Sequence, residues 1–204
     1  YTVISYVNTT AAVKAHTDVV VTSTNARKIV DQFPKDAKLI FGPDRNLGGY
    51  INAVTGRNML LWNGACHVHE QFSLEKLIEL KAQYPEAKVL VHPECKKEIA
   101  DLADVVGSTQ ALLNYAVDGE FTQFLVCTES GILHEMQKRC PEKEFIPVPP
   151  AGRACANNEC DYMRMNTLEK LYLWLRDEMP AIEVDEAIRE RAVRPIHKML
   201  EMSK

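Results

Sequence analysis

The sequence predicts an α/β protein made of tandem pseudo-symmetric αβα units with short parallel sheets, followed by C-terminal helices. Three observations predict it. A pattern recurs at a spacing of 86 residues, short β-branched or apolar runs alternate with helical patterns, and two final helical stretches have no counterpart in the first copy. At the offset of 86, Asp18, Val19 and Val20 meet Asp104, Val105 and Val106, while Thr22 and Ser23 meet Ser108 and Thr109. The register is expected to run on without a gap, with Leu39-Ile40 falling on Leu125-Val126 and Met59-Leu60 on Phe145-Ile146.

In chain order, the first copy offers strands at Val3–Val7, Val19–Thr22, Leu39–Phe41 and Met59–Trp62. The second offers Val89–Val91, Val105–Val106, Phe124–Cys127 and Phe145–Val148. Helical patterns such as Ala26–Phe33, Leu74–Leu80 and Ile132–Lys138 lie between them. That alternation argues for parallel sheets with helices on both faces. Beyond the second copy, Asn166-Thr-Leu-Glu169 reads as a capping box opening a helix over 168–176. Asp185 caps a helix over 188–202, which Pro195 should bend or interrupt. The chain thus divides into αβα units at 1–70 and 71–160 and a helical segment at 161–204.

Composition narrows the function classes. Lys and Arg number 24 against 28 Asp and Glu, a net charge of −4 with no basic run, so nucleic acid and anionic membrane are not expected partners. No apolar stretch approaches the ~18 residues a membrane helix needs. The opening Tyr1-Thr-Val-Ile-Ser-Tyr-Val reads as a strand without the charged leader of a signal peptide, and the chain looks cut into rather than begun. A cytoplasmic setting is expected. There the six cysteines, at 66, 95, 127, 140, 155 and 160, are thiols or metal ligands rather than disulfides.

Ligands of open parallel sheets bind beyond the carboxyl ends of the strands, and polar residues gather there. Thr22-Ser23-Thr24-Asn25 and Gly107-Ser108-Thr109-Gln110 each lead from strand to helix through hydroxyls. Such turns either hold a phosphate or carboxylate on helix N–H groups or are simply helix caps. Tyr6 with Asn8, and His92 with Glu94, are spaced to lie on one side of a strand end. His and Glu so placed could share proton transfer; alternatively, His92 bonds within the turn at Pro93 and Glu94 caps the next helix. Cys66 and Cys160, with Cys155, lie in loops after the last strand of each copy, where backbone can approach a metal centre. Cys127 and Cys140 read as packing, and Cys95 as either. The cysteine spacing matches neither a zinc ribbon nor a ferredoxin.

Several segments taken together resemble quinolinate synthase: Tyr6-Val-Asn-Thr-Thr-Ala-Ala-Val-Lys-Ala15, Thr22-Ser-Thr-Asn-Ala26, Phe41-Gly-Pro-Asp-Arg-Asn-Leu47, Cys66-His-Val-His69, Val91-His-Pro-Glu-Cys95, Gly107-Ser-Thr109 and Cys160-Asp-Tyr-Met-Arg-Met-Asn-Thr-Leu168. The resemblance spans the chain from Tyr6 onward in the family's order. It implies a [4Fe–4S] enzyme of NAD biosynthesis that condenses iminoaspartate with dihydroxyacetone phosphate to quinolinate, with loss of water and phosphate. It also implies three pseudo-symmetric αβα units around a central cluster held by one cysteine from each.

On this chain Cys66 matches the middle cluster ligand and Cys160 the last, whereas Cys155 does not match. The third cysteine would belong to a first unit absent from this sequence, so the chain alone is expected to be inactive. The resemblance places Ser23 and Thr109 on phosphate or carboxylate groups, with Tyr6 and Asn8 lining the same pocket. His92 and Glu94 match an acid–base pair, and Tyr6 joins them among the catalytic residues. The enzyme that supplies iminoaspartate is an expected partner. The competing reading is a non-catalytic module that binds a phosphorylated metabolite, with its cysteines structural or free.

Overall fold

A computed structural model describes residues 1–151 and 158–204; Cys155 lies outside the described residues. The expected α/β architecture is present, with two four-stranded parallel sheets joined by helices and followed by helices. The first sheet holds β1 (Thr2–Tyr6), β2 (Val19–Val21), β3 (Leu39–Gly42) and β4 (Leu60–Leu61), in the order β2-β1-β3-β4. Between its strands run α1 (Ala11–Lys14), α2 (Ala26–Asp31) and α3 (Arg45–Thr55). A 3-10 turn (His69–Gln71) and α4 (Leu74–Gln83) lead into the second sheet. That sheet holds β5 (Lys88–Val91), β6 (Val105–Val106), β7 (Gln123–Cys127) and β8 (Glu144–Pro147), with α5 (Lys97–Ala100), α6 (Thr109–Asp118) and α7 (Ile132–Arg139) between them. Its order, β6-β5-β7-β8, repeats the first.

The repeat extends to single hydrogen bonds. Asp18 accepts from Val3 N–H at 2.7 Å and donates its own N–H to Val3 O at 2.9 Å. Asp104 does the same with Val89, at 2.8 and 3.0 Å. An aspartate before the second strand of each unit therefore satisfies main-chain groups at the start of the first strand, where no neighbouring strand reaches them.

The register is not ungapped, however. Val3 pairs with Ile40 in the first sheet, whereas its counterpart Val89 pairs with Leu125. Ile40 thus corresponds to Leu125 rather than Val126, one residue short of the expected spacing. The spacing of 86 returns at the fourth strand, where Ile40 meets Leu60 and Leu125 meets Ile146. Apolar residues fill both positions of the third strand, so sequence matching tolerates a slip that strand pairing does not.

Alternation along the strands distributes the core. Val89 and Val91 pack with Leu125, Cys127, Leu77 and Ile99 on one face of the second sheet, while Leu90 packs with Phe124, Val126, Leu112 and Met136 on the other. In the first unit, Ile4, Val21, Leu39 and Phe41 pack with Ile29, Leu47 and Ile51.

After α8 (Asp161–Arg164) and α9 (Leu168–Asp177), the chain returns in α10 (Glu186–Met202) to pack on β2 and α1 of the first unit. Arg191 donates to Ala15 O at 2.8 Å, and Asn25 to Ser203 Oγ at 3.0 Å. Helix α10 runs through Pro195 without interruption. Pro195 is buried, and contacts with the first unit hold the helix on both sides of it. Asp185 caps α10 through Ile188 N–H, as expected. The cap of α9, by contrast, is Thr167, whose hydroxyl accepts from Lys170 N–H at 3.2 Å. Asn166 instead closes the preceding turn, donating to Met163 O.

Candidate active site

The carboxyl edges of the two sheets come together through α3. Asp44 sets its start by accepting from Leu47 N–H at 2.6 Å. One turn of α3 then reaches the connecting 3-10 turn and the second unit: Arg45 pairs with Glu70 at 2.7 Å, and Asn46 donates to Glu70 Oε2 at 2.9 Å and to Glu94 O at 3.0 Å. The 3-10 turn after Cys66 is fixed against the other side of this edge. Ala151 N–H donates to Gln71 O at 2.9 Å, and Phe72 is buried among Leu77, Val89 and Val148.

These constraints gather Cys66, His69 and Glu94, with one donor atom of each within 4.8 Å of the others. Glu94 and His69 are buried, and Cys66 is half-buried. His69 Nδ1 lies 3.1 Å from Glu94 Oε2, off the axis of an aligned hydrogen bond, so the contact is an ion pair. The other ring nitrogen of His69 is 3.1 Å from Thr128 Oγ1. The His92 ring stacks on His69 at 4.5 Å between centroids, and its Nδ1 accepts from Glu94 N–H at 3.3 Å.

The charge states follow from this arrangement. Burial favours a neutral His69, but Cys66 and Glu94 beside it prevail and raise its pKa to about 9. Burial and the neighbouring His69 charge lower His92 to about 4. Burial would raise Glu94, yet the close contact with His69, with His92 beside it, holds it below its ordinary value. The group is thus a carboxylate beside an imidazolium, with a neutral imidazole stacked on it. Two stacked imidazoles on either side of neutrality, sharing one carboxylate, can both hold and pass a proton. Burial, partly offset by Ser23 and reinforced by Glu94 and Cys66, raises the Tyr6 phenol.

His92 and Glu94 do meet, but not on a strand face: β5 ends at Val91 and both lie in the turn beyond it. Glu94 does not cap α5 either, since its carboxylate is engaged by His69 and the N-cap is Lys96. Tyr6 ends β1, and its hydroxyl is 3.5 Å from Ser23 Oγ. Asn8 is exposed in the turn after β1. Thr109 is the exposed first residue of α6, where buried Ser108 provides the cap by accepting from Ala111 N–H at 3.2 Å. Cys160 is half-buried at the start of α8. The His67 and Tyr162 rings meet edge to face at 5.3 Å, so the segments carrying Cys66 and Cys160 lie against each other. Cys127 and Cys140 are core residues, as expected. Cys95 joins them at 2 % exposure, and burial pushes the Cys95 and Cys127 thiols up.

His69 is the residue that sequence reasoning passed over. Its signal was the Cys66-x-x-His69 spacing, but nothing local shows that the 3-10 turn carries it into contact with Glu94.

The family model described as Quinolinate synthetase A protein matches residues 1–201. The chain is 55% identical over 201 residues to the quinolinate synthase of Thermosynechococcus vestitus, covering 98% of this chain and 63% of that protein. It is 53% identical over 202 residues to that of Chloroherpeton thalassium, covering 99% and 63%. The quinolinate synthase of Microcystis aeruginosa is 54% identical over 201 residues, again covering 98% and 63%. The chain therefore spans about 63% of the length of these curated relatives.

Proposed function

Because the chain belongs to the quinolinate synthase family, we propose that it forms the part of the enzyme that condenses iminoaspartate with dihydroxyacetone phosphate to give quinolinate, with loss of water and phosphate, in NAD biosynthesis. The observation that carries this reading is the convergence of Cys66, His69, His92 and Glu94 on one sheltered edge between two sheets. Among the described residues, no helix is long and apolar enough to cross a membrane; the cytoplasmic setting rests on the resemblance and on the cysteine usage.

The donor set suits a [4Fe–4S] cluster. Cys66 is half-buried beside acid–base groups, and Cys160 lies on a segment in contact with its loop. Cys95, Cys127 and Cys140 are taken up by the cores. Cys66 and Cys160 would hold the cluster together with a cysteine from outside this chain. When bound, an iron with an open position supplies Lewis acidity that eases loss of water.

The residues of the chain supply the rest. Glu94 takes a proton from the carbon to be joined, and the His69 imidazolium holds that carboxylate in place. His92, neutral and stacked on His69, receives or returns a proton at a substrate oxygen. Ser23 and Thr109 hold phosphate or carboxylate at two carboxyl-edge turns. Tyr6 and Asn8 orient a carboxylate or enediol. The enzyme that makes iminoaspartate is a natural neighbour.

Anaerobic reconstitution with iron and sulfide tests the ligands. Brown protein whose iron content falls in Cys66→Ala and Cys160→Ala supports the reading. Colourless protein that takes up only zinc favours a metabolite-binding module instead. Supplied with the remaining portion of a relative, Glu94→Gln should abolish turnover while leaving the cluster absorption intact; full activity in that variant removes Glu94 from the mechanism.

A further inference from the structure

Two acidic residues outside the acid–base group share one unusual arrangement. Asp44 follows β3 and splits its carboxylate, one oxygen accepting from Leu47 N–H at 2.6 Å and the other from Cys66 N–H at 2.7 Å. Glu129 follows β7 and splits its carboxylate too, one oxygen accepting from Gly131 N–H at 2.7 Å and the other from Cys160 N–H at 3.2 Å. A second bond repeats beside the first. Arg45, just after Asp44, donates its N–H to Gly64 O at 2.8 Å. Ser130, just after Glu129, donates its N–H to Asn158 O at 3.0 Å. Gly64 and Asn158 each lie two residues before their cysteine.

The strand pairing that equates Ile40 with Leu125 also equates Asp44 with Glu129. The same two bonds therefore tie the same two places in each unit, and Cys66 and Cys160 are structural counterparts. The constant spacing of 86 conceals this, because the second unit has a longer segment between β8 and its cysteine. Asp44 caps α3 with one carboxylate oxygen, whereas Glu129 gives one to Gly131 N–H without capping α7. In both units the remaining oxygen is spent on the main chain of a cysteine, through side chains of different length.

We infer that Asp44 and Glu129 are matched positioning residues, each holding the main chain of one cysteine, Cys66 or Cys160, at the equivalent point of its sheet edge. This deepens the proposed function and rests on its reading of the two cysteines as ligands. With a carboxylate fixing the cysteine amide from one side and the strand-end loop fixing the carbonyl two residues back, the sulfur has little freedom except rotation about its own side chain. Two thiols ordered in this way are prepared for a shared group before it arrives.

The isosteric amides separate this role from the bonds to Leu47 and Gly131. Asp44→Asn keeps one acceptor for Leu47 N–H but presents an NH2 group to Cys66 N–H. Glu129→Gln does the same at Cys160. The measurements are amide hydrogen exchange and iodoacetamide labelling, resolved by residue, on the metal-free chain. Asp44→Asn should speed exchange at the Cys66 amide about tenfold, the size expected for one lost charge-assisted bond, and raise labelling at Cys66 while leaving Cys160 unchanged. Glu129→Gln should show the mirror pattern. Both variants should keep a thermal midpoint near that of the wild type, and Asp44→Ala and Glu129→Ala should repeat the selectivity with lower midpoints. Unchanged rates at the matching cysteine, or equal increases at both cysteines in each variant, would overturn the inference. The arms are independent of the cluster: a wild-type chain that takes up no iron defeats the ligand reading, whereas these rates still decide the anchors.

Discussion

His69 Nδ1 and Glu94 Oε2 meet at 3.1 Å, joining the loop that leaves the first sheet to the turn that leaves the first strand of the second. Both side chains are buried, so each charge depends on the other.

Glu94→Gln removes a carboxylate paired with a buried imidazolium and should destabilise the chain by about 3 kcal/mol near neutral pH. The His69 pKa is raised from 6.5 to about 9, so its contribution is complete below pH 6.5 and is lost as pH rises through about 9. That of Glu94 is lowered from 4.5, so its contribution holds above that value and is lost as acid protonates the folded carboxylate. Urea denaturation should therefore show a wide gap between wild type and variant near neutrality, narrowing toward either extreme. A gap independent of pH contradicts the assigned charge states.

Asp104 presents a simpler titration at the surface. Burial would raise its carboxyl, but Val89 N–H and the Lys88 ammonium prevail and hold it below its ordinary value. Its contribution is thus present above the unfolded value and is lost as pH falls through the folded one. Asp104→Asn should cost about 1 kcal/mol near neutrality, with the difference fading in acid. Asp18→Asn, which touches the equivalent bond to Val3, should be destabilising as well. Thermal melts of both variants check the repeat at single-bond level.

Adjacent glycines in α3 should respond in opposite ways. A Cβ on Gly48 would sit 2.6 Å from Leu61 Cδ2 and 2.9 Å from Phe41 Cδ1, and Phe41 is fully buried. Gly48→Ala should lose about 1–2 kcal/mol through overpacking, despite its better helix propensity. Among the described residues nothing lies within 4 Å of a Cβ on Gly49, so Gly49→Ala should gain close to the ~1 kcal/mol helix difference. Denaturation midpoints of the pair decide it.

Helix α9 has no buried residue, and Leu168, Leu171, Tyr172 and Leu175 are all exposed. A ten-residue helix with no buried residue among the described ones is marginal in water. Its amides should exchange at least about a hundredfold faster than those in the middle of α10, which packs on the first sheet. Equal protection in the two helices would contradict the arrangement.

Much of the fold was legible because its signals are local. Short β-branched or apolar runs such as Val19–Val21 and Val89–Val91 form strands here, and their alternation with helical segments leaves parallel sheets as the economical answer. The carboxyl-edge rule pointed to the region where Tyr6 ends β1 and where Ser23, Cys66, His92 and Glu94 follow strand ends. The third strand was misaligned by one because Leu39-Ile40 and Leu125-Val126 are equally apolar in either register, and only the hydrogen-bond ladder distinguishes them.

By itself, then, the sequence determined the class, the doubling of the unit, the cap at Asp185, and the family to which the chain belongs. Tertiary structure alone decided that His69 reaches Glu94, that α10 returns to β2, and that Asp44 and Glu129 hold equivalent cysteines. Periodicity and turn chemistry act over a few neighbouring residues and leave their mark in the local pattern. Contacts between loops of different sheets depend on how whole units pack, and no short stretch of chain encodes that.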